Sequence, residues 1–169
     1  MNLLYLYLTF LLFTCAPKEG LAIATPDGDT TTIILVRHAE KMDNSANPPL
    51  SAVGMERAKR LPEVLGEYRP DAFYSTNYLR TMQTLEHWAE KSNQTIKHYN
   101  PRQPDSLVTL LKKQTGKMVV VAGHSNTVPA LVNKLIGEQK YEDLADTMYG
   151  RIFIVRLEDG QANVELRNY

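Results

Sequence analysis

Met118-Val119-Val120-Val121-Ala122 is a continuous, β-branched apolar run, and Gly123-His124-Ser125-Asn126 follows it directly. An apolar run this short, with no polar alternation, is what a strand covered on both faces by helices looks like. A helix is expected to follow from about Val128 to Ile136. Thr32-Ile33-Ile34-Leu35-Val36 has the same character and ends at Arg37-His38. Two of the four histidines therefore stand immediately after the two best strand signals.

Working outward, Ser51 is placed to cap a helix carrying Gly54, Ala58, Leu61 and Leu65 on one face, with Pro62 expected to kink or restart it. Ala72 to Tyr74 is a second strand candidate, Tyr78 to Lys91 a helix, and Thr95 to Tyr99 a weaker strand. Pro104 and Asp105 open an amphipathic helix through Leu107, Leu110 and Leu111. Near the end, Ile152 to Leu157 and Ala162 to Leu166 flank Asp159-Gly160, a hairpin turn signal. The alternation predicts a single α/β domain over residues 32–169. Its central sheet should be mostly parallel, with helices on both faces and an antiparallel C-terminal edge hairpin.

Composition agrees with one domain: 169 residues, 43% of them apolar, hold one sizeable core and are too few for two ordinary ones. Basic and acidic side chains both number 19, so no net field draws the chain to nucleic acid or an anionic bilayer. The single cysteine, Cys15, excludes an internal disulfide framework and a structural zinc site built on cysteine pairs. Between Leu3 and Phe13 only Thr9 interrupts an apolar run. That is short for a membrane span and has the length of a signal-peptide core. Residues 1–14 are thus expected to be an export signal and residues 15–31 a linker. Leu12-Phe13-Thr14-Cys15 also resembles a bacterial lipobox, which makes lipid on Cys15 and attachment to a membrane the anchored form of a periplasmic or secreted domain.

In an open α/β sheet ligands bind outside the carboxyl ends of the strands, so His38 and His124 are candidates to face one pocket. Arg37 adjoins His38, Arg80 lies near the start of the second helix, and Gly123 to Thr127 offers backbone donors at a helix N-terminus. A guanidinium fork and a helix N-terminus both suit phosphate oxygens. Near two guanidinium groups an imidazole favours its neutral form, which keeps a lone pair free for attack on phosphorus.

Arg37-His38-Ala39-Glu40-Lys41 resembles the opening motif of the histidine phosphatase superfamily. The similarity runs on through Leu50-Ser51-x-x-Gly54-x-x-Arg57-Ala58, Ser75-Thr76 with Leu79-Arg80-Thr81-x-Gln83-Thr84, and Gly123-His124-Ser125-Asn126-Thr127. The resemblance implies a phosphatase of small phosphorylated substrates, with His38 as the phosphoryl-accepting nucleophile and Arg37, Arg80 and His124 around the phosphoryl oxygens. Ser125, Asn126 and Glu40 are expected to touch the substrate, and no metal or other cofactor is called for. Where a phytase-like relative places an Asp after the second histidine this chain has Ser125, and the glutamate motif of mutases is missing around Tyr99 to Leu107. Asp105, on the same rim just after the third strand, is the first candidate for a proton donor, and Glu40 the second.

Three other readings compete with the exported phosphatase. A phosphate-recognising lipoprotein would use the same pocket without turnover. A cytoplasmic phosphohistidine protein phosphatase would have an N-terminus that forms part of its core. A metal centre would draw on His38, Glu40 and His124.

Overall fold

The computed structural model describes residues 28–169; Cys15, the expected export signal and all but the last residues of the expected linker lie outside them. Strand β1 (Thr31–Arg37) reaches back one residue before the apolar run, with Thr31 as buried as its neighbours. Then come α1 (Ala52–Val64), β2 (Ala72–Thr76), α2 (Leu79–Lys91), β3 (Ile96–Tyr99), α3 (Pro104–Lys112), β4 (Met118–Gly123), α4 (Thr127–Ile136), β5 (Arg151–Glu158) and β6 (Gln161–Asn168). They form one six-stranded sheet in the order β3-β2-β4-β1-β5-β6. The four strands β3, β2, β4 and β1 run parallel, whereas β5 and β6 are antiparallel, as the Asp159-Gly160 signal predicts. Asp159 and Gly160 both hold positive φ, 48° and 75°, the pair of values a two-residue turn needs to match strand twist.

Because successive strand residues point to opposite faces, β1 and β4 split their side chains between two cores. Ile33, Leu35, Val119 and Val121 pack under α3 and α4 with Leu111 and Leu131. Ile34, Val36 and Val120 meet Leu61 of α1 with Leu85 and Trp88 of α2 on the other face. Helices therefore cover both sides, which is why these strands lack polar alternation. Ser51 caps α1 as expected, its Oγ accepting from the Gly54 N–H at 3.1 Å. Pro62 does not restart the helix: α1 runs unbroken through it and ends two residues later at Val64. In the last turn the ring removes one hydrogen bond and little helix remains to be displaced.

Topology decides where chemistry can occur. From adjacent strands β1 and β4 the chain leaves to opposite faces, into α1 and α4, and the sheet splits into a crevice at their carboxyl ends. Register completes the effect: Arg37 stands beside Gly123, and the His38 N–H donates to the Gly123 carbonyl at 2.9 Å. Two histidines separated by 86 positions, counted from 38 to 124, thus emerge side by side.

Candidate active site

The crevice holds a cleft of about 540 Å³, with Arg37, His38, Arg80 and His124 at its floor. His38 is buried to 5% exposure, and its Nδ1 lies 2.8 Å from the Ala39 carbonyl. A carbonyl only accepts, so Nδ1 carries the proton and the Nε2 lone pair is left for the cleft. Burial lowers the His38 pKa most; the Ala39 bond opposes it, and the charges of Arg80, His124 and Arg37 add to it, pushing the value down to about 4. The ring is neutral at physiological pH.

His124 stands edge to face with His38, ring centroids 5.5 Å apart. Its backbone N–H donates to Thr127 Oγ1 at 2.8 Å, and its Nε2 lies 3.1 Å from Thr76 Oγ1 at the end of β2. Arg80 Nη2 approaches His124 Nδ1 at 3.5 Å. Burial, then Arg80 and Arg37, push His124 down to about 4 as well. The turn that aims this ring depends on Gly123. A Cβ there would lie 2.8 Å from Thr127 Oγ1 and 2.9 Å from the Tyr99 hydroxyl, too close for any side chain.

Each guanidinium lies over a tyrosine: Arg37 is 4.2 Å from the centre of the Tyr149 ring and Arg80 is 4.6 Å from that of Tyr78. Arg37 is also tied into the segment joining α4 to β5, its Nη1 donating to the carbonyls of Ala145, Asp146 and Met148 at 2.8, 3.1 and 3.3 Å. Among the described residues its Nε is buried without a hydrogen-bond partner, and its Nη2 has only the Asp146 carboxylate at 3.9 Å. The Nη2 donors of a buried cation are thus only weakly engaged. Asp146 is the one carboxylate among the described residues that lines the cleft. The balance of charge favours an anion, and the forked donors suit phosphoryl oxygens.

Ser125 and Asn126 line the cleft beside His124, as expected. Glu40 does not line it: both carboxylate oxygens are taken by Arg57 of α1, and its backbone carbonyl accepts from the Ser51 N–H at 2.8 Å. Gly54 is needed at that contact, since a Cβ would come within 2.2 Å of the Glu40 carbonyl oxygen. With Glu40 so engaged, the metal set His38, Glu40 and His124 does not assemble, and no other group of three potential metal ligands occurs among the described residues.

Asp105 is likewise outside the cleft. It occupies the first turn of α3, where the helix dipole favours a carboxylate, and its exposed side chain pairs with Lys134 of α4 at 2.7 Å. His87 and His98 do not line the cleft either. Tyr149, Tyr78, Thr76 and Asp146 are site residues that sequence reasoning missed. Tyr149 and Asp146 lie in a stretch with no periodic pattern. Thr76 stands within the Ser75-Thr76 part of the Arg80 motif and Tyr78 lies two residues before Arg80, and that motif was the one available signal.

Residues 33–101 match the histidine phosphatase superfamily (branch 1), a span that includes His38 and Arg80. No curated protein matches the sequence. Solved structures share the fold. A candidate phosphohistidine phosphatase, SixA of Agrobacterium tumefaciens, is 19% identical with a TM-score of 0.63, over 82% of this chain and 98% of that one. A phosphoserine phosphatase of Entamoeba histolytica bound to 3-phosphoglyceric acid is 13% identical with a TM-score of 0.66, over 82% and 97%. A mycobacterial glucosyl-3-phosphoglycerate phosphatase is 13% identical with a TM-score of 0.65, over 82% and 99%. The matched span carries the Arg37-His38 and Arg80 motifs, the sheet order brings His124 to them, and over residues 33–101 the chain is similar to the histidine phosphatase superfamily, branch 1.

Proposed function

We propose that this protein is a phosphatase that hydrolyses phosphomonoesters or phosphoramidates through a phosphohistidine on His38. The observation that carries this reading is a buried, neutral imidazole whose Nδ1 is fixed by Ala39, leaving Nε2 without a partner among the described residues, between two arginines. A lone pair held in that way is the requirement for in-line attack on phosphorus. The Nε2–P bond forms as the bond from phosphorus to the leaving oxygen or nitrogen breaks. The departing atom takes up a proton, and water then displaces Nε2 to release inorganic phosphate.

Arg37 and Arg80 would hold the equatorial oxygens, where charge must be stabilised in the transition state. His124 has a second part to play. A phosphoryl dianion against it favours the imidazolium, which then donates from Nε2 to Thr76 and from Nδ1 to the phosphoryl group. The test is turnover of an aryl phosphate by the wild type and His38→Ala. The reading requires turnover to be lost in the variant, whereas phosphate binding without turnover in the wild type would favour the non-catalytic lipoprotein.

We also propose export, on the strength of the apolar run from Leu3 to Phe13. Intact mass of protein from its native host tests it. Loss of residues 1–14 with lipid on Cys15 is expected, and Met1 retained in a soluble fraction would contradict it.

A further inference from the structure

The cleft does not stop at His124. A second cavity, about 290 Å³, shares Arg80, His124 and Asn126 with it and extends to Pro101 and Arg102 in the turn between β3 and α3. A third, about 110 Å³ and largely apolar, shares Pro101, Asn126 and Thr127 with the second and ends against Pro104, Ala130 and Leu131. Through the shared residues the three form one groove. It leads from the phosphoryl site past a cation to an apolar end.

The charges along this extension are of one sign. Neither outer cavity has a carboxylate in its lining among the described residues. Asp105, three positions after Arg102, is engaged by Lys134, and the Arg102 side chain makes no ion pair or hydrogen bond among the described residues. An uncompensated guanidinium beside a site that takes one anion recognises a second. We infer that the natural leaving group carries a second anionic group that pairs with Arg102, together with an apolar portion that rests on Pro101 and Leu131. The substrate class is a phosphomonoester with an acidic, partly hydrocarbon leaving group. This rests on the phosphatase reading for the phosphoryl end of the groove and adds the other end.

Binding tests it without relying on turnover. Dissociation constants of phenylphosphonate and of its 3- and 4-carboxy derivatives are measured by calorimetry on the wild type, Arg102→Ala and Ala130→Glu. The wild type should bind at least one carboxylated compound more tightly than the parent, by up to about five-fold, the upper end of the range for a solvent-exposed ion pair. That ratio should fall to about one in Arg102→Ala, and below one in Ala130→Glu, whose added carboxylate repels the ligand. A wild-type ratio of one, or a ratio unchanged in Arg102→Ala, overturns the inference. Turnover of phenyl phosphate is assayed in parallel. If it is absent while the ratio behaves as stated, the phosphatase reading fails and the second anion site stands.

Discussion

Arg57 grips the carboxylate of Glu40 through two nitrogens, Nε reaching Oε1 and Oε2 at 3.0 and 2.9 Å and Nη2 reaching Oε1 at 2.6 Å. The pair anchors the chain two residues beyond His38 to helix α1, and Arg57 Nη1 extends the tie to the Tyr169 carbonyl at 2.7 Å. Burial alone would raise the Glu40 carboxyl, but the bonds and charge of Arg57 outweigh it and hold the group below the usual range.

Arg57→Ala should therefore cost about 1.5–3 kcal/mol of stability, the range for hydrogen bonds to charged groups. Arg57→Lys should recover less than half of it, because an ammonium cannot reproduce the fork. Urea midpoints at constant slope measure both. An unaltered midpoint in Arg57→Ala would show that the pair contributes nothing.

Tyr149 contacts Arg37 through its ring face, so its hydroxyl should be dispensable and its ring should not. Tyr149→Leu is expected to weaken inhibition by orthovanadate, a mimic of the transferring phosphoryl group, by about 0.5–2 kcal/mol. Tyr149→Phe should bind it as the wild type does. Equal losses in the two variants would give the role to the hydroxyl.

The imidazoles make stability depend on acid. Both rings have folded pKa values of about 4, below the ordinary 6.5, so between those values the unfolded chain binds more protons than the folded one. Stability should be fully present above pH 6.5 and fall as the pH drops toward 4, by up to about 3 kcal/mol for His38 and by less for the more exposed His124, whose charge water screens. Imidazole NMR titration gives the pKa values directly. Midpoints near 6.5 for both rings would remove the effect of burial and with it the acid dependence.

Asp105→Asn should slow alkyl and aryl phosphates equally little and change stability by no more than about 0.5 kcal/mol, since its pair with Lys134 is an exposed one. A selective loss on alkyl phosphates would restore Asp105 as proton donor.

The strands and the two histidines were legible because burial on both faces leaves an unmistakable run, as in Ile33 to Val36 and Val119 to Ala122, and because each histidine directly follows one. What sequence does not encode locally is which side chain turns inward from an aperiodic segment. Tyr149 and Asp146 reach the cleft only because Arg37 holds the carbonyls around them and the Leu144 N–H donates to the Ser125 carbonyl at 2.9 Å. Glu40 and Asp105 were misplaced for a related reason. Their spacing fits a shared rim, but each finds a closer cation, Arg57 or Lys134, on a neighbouring helix.

The most direct test of the central claim is to trap the phosphoenzyme. The wild type is mixed with a radiolabelled phosphate ester, quenched in alkali and mapped by peptide mass. The account predicts one phosphoryl group on the His38 peptide, stable to base, released by acid, and missing from His38→Ala. Label on another residue, or label that persists in His38→Ala, would contradict it.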